Sequence, residues 1–103
     1  MAEGVVEVLW TDRAKLTFNS IVDYLHDKWT HKEVENFIGR TSHFISTIMK
    51  YPEMCRASRK RPNIRIGIIT RHTQIVYHFK PRKKQIVILY FWGTQQDPSR
   101  FKY

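Results

Sequence analysis

Residues 64–92 decide the fold: Ile64-Arg65-Ile66-Gly67-Ile68-Ile69-Thr70-Arg71, then Gln74-Ile75-Val76-Tyr77-His78-Phe79-Lys80, then Gln85-Ile86-Val87-Ile88-Leu89-Tyr90-Phe91-Trp92. Three short runs rich in β-branched and aromatic residues, parted by polar breaks, predict three consecutive antiparallel strands. In the first run Ile64, Ile66, Ile68 and Thr70 share one face, and Arg65, Gly67, Ile69 and Arg71 share the other. In the second, Ile75, Tyr77 and Phe79 oppose Val76, His78 and Lys80. Alternation of this kind predicts a sheet with one apolar face buried and one basic face presented to an anion. The third run is apolar on both faces, which places it inside the sheet with both edges paired.

Toward the N-terminus, Val5 to Trp10 is a short apolar run and predicts a fourth strand. Thr11 reads as a helix N-cap, with Asp12 in the first turn where a negative charge suits the helix dipole. Ala14, Phe18, Ile21, Val22 and Leu25 then recur at helical spacing, and that helix is expected to end near Lys28-Trp29. Thr30 and Glu33 match a capping box at the start of a second helix. Its expected inner side is Val34, Phe37, Ile38, Thr41, Phe44, Ile45, Ile48 and Met49, and Tyr51-Pro52 stops it. So short a link between two amphipathic helices predicts an antiparallel hairpin, with Gly39 as a point of close helix approach. The order β-α-α-β-β-β gives an α+β fold, a helical hairpin packed on one face of a small antiparallel sheet.

At 103 residues, the chain is expected to form a single domain over 1–103. No apolar run approaches the roughly 20 residues that span a bilayer, and the first residues lack a secretory pattern, so the expectation is a cytoplasmic protein with no membrane partner. One cysteine, Cys55, makes neither an internal disulfide nor a zinc site by itself. The net charge of +9 is unevenly spread. Residues 1–53 hold six Lys or Arg against eight Asp or Glu, whereas residues 54–103 hold twelve against the single acid Asp97. Segregation on that scale implies an anionic partner, nucleic acid or an acidic protein segment.

The candidate anion-binding residues follow from that basic half. Arg56, Arg59, Lys60 and Arg61 lie in the connector before the first run, Arg65 and Arg71 on its basic face, and Arg82, Lys83 and Lys84 in the turn before the last run. Metal-independent cleavage of RNA needs a base for the 2′-hydroxyl, an acid for the leaving oxygen and cations for the developing charge. His72, His78 or Tyr103 would move the proton and Arg61, Arg65 and Arg71 would hold the charge; no Glu–His pair is evident. Against this, His72 reads as a turn residue, His78 as a polar position on the open face and Tyr77 as packing. The histidines show no metal-ligand spacing and no glycine-rich phosphate loop occurs, so no cofactor and no metal are expected.

Several short motifs in this order resemble the RelE/ParE superfamily of bacterial type II toxin–antitoxin toxins. They are Trp10-Thr11 with Ala14, the helix around Ile21-Val22-Asp23-Tyr24-Leu25, Trp29, Tyr51-Pro52, the hairpin from Ile69-Thr70-Arg71-His72 to Tyr77, and Phe91-Trp92-Gly93-Thr94-Gln95-Gln96-Asp97-Pro98. The resemblance favours the ParE-like branch. It implies a bacterial toxin masked by a cognate acidic antitoxin, a heterotetramer with that antitoxin among its assemblies, and DNA gyrase as target. The RelE-like alternative implies a ribosome-dependent mRNA endonuclease, for which Arg65, Arg71, His78 and Tyr103 are the catalytic candidates. A basic nucleic-acid-binding module without toxicity is the third reading.

Overall fold

The structure is a computed structural model that describes residues 6–61 and 63–93. The elements run β1 (Glu7–Trp10), α1 (Asp12–Lys28), α2 (His31–Lys50), β2 (Arg56–Ala57), β3 (Ile64–Thr70), β4 (Thr73–Lys80), a 3-10 turn (Pro81–Lys83) and β5 (Gln85–Gly93). The three central runs form β3, β4 and β5 as expected, and the five strands lie in the order β1-β5-β4-β3-β2. β5 has both edges paired over its first half, because β1 joins its outer side from Glu7 opposite Gln85 to Trp10 opposite Ile88. That pairing is parallel, so the sheet is mixed, not antiparallel. The reason is directional. α1 continues the way β1 runs and α2 brings the chain back, so β3 starts from the same end as β1; β4 reverses and β5 restores the direction. The connector also supplies a fifth, two-residue strand, β2, opposite Arg65 and Ile66 of β3. Past Ile66, the outer edge of β3 has no strand beside it among the described residues.

The helix caps form unequally. Thr11 accepts from the Ala14 amide at 3.0 Å and donates to the Leu89 carbonyl at 2.8 Å. Thr17 accepts from the Phe91 amide at 2.9 Å, so two threonines fasten α1 to the part of β5 that β1 leaves uncovered. Thr30 is the N-cap of α2 as expected, yet its hydroxyl makes no capping bond. Its carbonyl takes the Glu33 amide at 3.0 Å instead, occupying the donor a capping box would use.

The helices cover one face of the sheet. Ala14, Ile21, Phe37, Ile69, Ile75, Ile88 and Phe91 form the larger cluster, with Trp10 and Phe18 packed on it; Val6, Ile48, Tyr77 and Ile86 form the smaller. Phe18 sits 5.3 to 5.4 Å from the rings of Trp10, Phe37 and Phe91. β5 contributes inward residues out of simple alternation because Val76 pairs with Tyr90 while Tyr77 pairs with Ile88. Leu89 is therefore the extra residue of a bulge, which lets Ile88 and Phe91, three apart, both face the core.

Two helix expectations fail on position. Ile38 is 45% exposed, outside the buried stripe of α2. A side chain at Gly39 would meet nothing within 4 Å, so this glycine lies open, away from α1.

Candidate functional site

The faces of β3 are the reverse of the expected arrangement. Gly67 and Ile69 are buried, while Ile68 is 66% exposed. Arg65 pairs across the strand with Tyr77, and Gly67 with Ile75, two residues with no exposure at all. The face carrying Arg65 therefore lies under the helices, and Ile64, Ile66 and Ile68 belong to the open face. Gly67 explains the choice. A side chain there would collide with the Phe44 ring of α2 and crowd the Cys55 sulfur. Glycine inside a strand marks such a close approach, and this was the signal in the sequence that alternation alone did not weigh.

Arg65 is consequently a clamp. Its side chain is 19% exposed. One guanidinium nitrogen, Nη1, donates to the Cys55 carbonyl at 2.6 Å and the Glu53 carbonyl at 3.1 Å; Nη2 lies 3.8 Å from the Glu53 carboxylate. Beside it the Tyr77 hydroxyl donates to the Pro52 carbonyl at 2.8 Å. Burial, reinforced by the neighbouring Cys55, pushes the Tyr77 phenol well above the ordinary tyrosine range. It stays protonated and remains a donor. Together these two side chains fix residues 52–55, the start of the connector, against the sheet.

The remaining basic residues fall into three places. Arg59, Lys60 and Arg61 lie exposed in the connector, and Arg82, Lys83 and Lys84 lie exposed in the β4–β5 turn. These two loops meet at one end of the sheet. The Phe79 amide donates to the Asn63 carbonyl at 3.0 Å, the Ile64 amide to the Arg61 carbonyl at 3.0 Å, and the Glu7 amide to the Lys84 carbonyl at 3.0 Å. Arg56 is exposed in β2 opposite Ile66, on the open face. Arg71 is exposed in the β3–β4 turn, at the other end of the sheet. His78 is half-buried opposite Ile64, on the face Arg65 does not occupy. Tyr103 lies outside the described residues. Arg65, Arg71 and His78 are thus not brought together: Arg65 and His78 point to opposite faces, and Arg71 stands seven residues along the strand from Ile64, about 23 Å away.

Two concavities flank the hairpin. A cleft of about 380 Å³ lies between the α1–α2 turn and the β3–β4 turn, with Tyr24, Leu25, Trp29 and Phe37 as apolar wall and Arg40 and Arg71 as cations. A wider groove of about 630 Å³ follows α2 past Gly39, His43 and Phe44 toward Met54 and the buried Ile69. Sequence periodicity does not show either, because each is lined by residues from elements far apart in the chain.

The fold is a helical hairpin laid over one face of a mixed five-stranded sheet. A chain of the chromosomal ParDE TA system from P. aeruginosa is similar to this one, with a TM-score of 0.70 and 14% sequence identity over 87% of this chain and 97% of that chain. At that identity the shared property is the fold. The sequence matches no protein-family model and no curated protein.

Proposed function

We propose that this chain is the toxin of a type II toxin–antitoxin module, held inactive by a cognate acidic antitoxin, and that it acts by binding a macromolecular target, DNA gyrase. The observation that carries the reading is the fold shared with a chain of a ParDE system over nearly the full length of both. The groove beside α2 and the uncovered edge of β3 support the antitoxin half of it. An amphipathic helix fits an apolar groove and an extended segment adds to a bare strand edge, with Arg40 and Arg71 available to acids of the partner. The separation of Arg65, Arg71 and His78 supports a binding mode over catalysis, because phosphodiester cleavage needs its proton-transfer and charge-stabilising groups within hydrogen-bond reach of one scissile group.

The test has two parts. Expression in a bacterial host is expected to arrest growth, and co-expression of the small acidic protein encoded beside this chain to restore it. Purified protein is then expected to block supercoiling by gyrase while leaving mRNA on ribosomes intact. Cleaved mRNA with unimpaired supercoiling would overturn the gyrase reading, and unarrested growth would overturn the toxin reading as a whole.

A further inference from the structure

We propose that the connector and the β4–β5 turn together form a docking strip for the phosphate backbone of a nucleic-acid duplex. This goes beyond the toxin reading and stands whether or not the chain arrests growth. Antiparallel pairing of β3 and β4 returns the chain to the end where it began, so Arg59, Lys60 and Arg61 come to lie beside Arg82, Lys83 and Lys84. The loops belong to adjacent strands, which puts them about 5 to 10 Å apart. A duplex carries about one charge per 1.7 Å of its length, so about 10 Å of it matches six cations.

Compensation among the described residues is incomplete. None of the six makes an ion pair with a described carboxylate. Of the described carboxylates, Glu53 lies 3.8 Å from Arg65, and Glu7, whose amide donates to the Lys84 carbonyl, accepts from the neutral Gln85 Nε2 at 2.9 Å, a single negative charge beside six positive ones. Six exposed cations that outnumber the described carboxylates beside them repel one another within a Debye length of about 8 Å, an arrangement that an external polyanion relieves.

The chemistry of the strip selects among polyanions. Each loop is an unbroken run of three cations, flanked by Ser58, Pro62 and Pro81, with no aromatic or aliphatic side chain between them. A protein interface needs apolar anchors at its centre, and single-stranded nucleic acid is held by bases stacked on aromatic rings. Neither feature lies within these loops. A duplex backbone needs only positive charge at the right density. The clamp of Arg65 and Tyr77 on residues 52–55 serves the strip indirectly, by fixing the root of the connector.

A 20-base-pair DNA duplex, titrated with the full chain by fluorescence anisotropy from 50 to 300 mM NaCl, tests the proposal. With six contacts the logarithm of affinity is expected to fall against the logarithm of salt with a slope of about −5. Arg82→Ala, Lys83→Ala and Lys84→Asn combined, asparagine tolerating the left-handed φ of 50° at that position, is expected to halve the slope and lower affinity at 50 mM salt at least tenfold. Arg59→Ala, Lys60→Ala and Arg61→Ala combined is expected to do the same from a separate loop. Lys32→Ala, exposed beside the α1–α2 turn at the far end of the sheet, is expected to change neither value. A slope unmoved by both triple variants overturns the strip. So does polyglutamate or a single-stranded RNA of equal length bound as tightly as the duplex, the first pointing to an acidic protein and the second to unpaired bases. Growth arrest is not read in this titration, so its outcome is independent of the toxin test.

Discussion

On the helix-covered face of the sheet an arginine, Arg65, is enclosed at 19% exposure; on the open face an isoleucine, Ile68, stands two-thirds in solvent. A charge is tolerated under the helices because two carbonyls accept from its Nη1 and the Glu53 carboxylate lies 3.8 Å away, although its Nε is buried without a partner among the described residues, and the same bonds tie down the connector. An aliphatic side chain is tolerated outside because exposing one costs little by itself. The difference separates two duties of positive charge in the same basic half. Arg65 holds the protein's own backbone, whereas the cations of the loops face outward with no carboxylate paired to them among the described residues.

Three substitutions measure that contrast by thermal or denaturant unfolding. Gly67→Val forces a side chain into the Phe44 ring and is expected to destabilise by about 3 kcal/mol. If the chain with valine is as stable as the parent, the assignment of the covered face is wrong. Arg65→Ala leaves the Cys55 and Glu53 carbonyls without their donor and is expected to cost about 2 kcal/mol, a drop of about 10 °C in midpoint. A loss of anion binding without loss of stability would instead make Arg65 an outward contact. Ile68→Thr, one residue from the buried Ile69, is expected to change stability by less than about 0.5 kcal/mol. A cost like that of a core truncation would show that something covers the open face.

Much of the architecture was legible because its signals are local. The three β runs, the N-cap Thr11, the stop at Tyr51-Pro52 and the helical hairpin each follow from neighbouring residues. What escaped depends on partners far along the chain. The six residues before Thr11 do not reveal that β1 lies parallel to β5, since direction is settled by the elements between them. The faces of β3 were ambiguous because isoleucines alternate as regularly as Arg65, Gly67 and Ile69 do; only the glycine distinguished them. The Leu89 bulge broke the period of two in β5, where an all-apolar run conceals parity. Among the candidate binding residues, the meeting of the connector with the β4–β5 turn was implicit in antiparallel pairing, whereas the fate of Arg65 required knowing where the Cys55 and Glu53 carbonyls lie.

The two borders of the sheet are finished differently. On one, Thr11 and Thr17 seal the tail of β5 beneath α1. On the other, β3 beyond Ile66 offers amides and carbonyls to whatever arrives, beside a solvent-facing isoleucine. Such a border invites a second copy of the same strand as readily as a foreign one. Self-pairing along this border would rise with concentration, and the net charge of +9 works against it, so the chain's own repulsion guards an edge that its strands leave open.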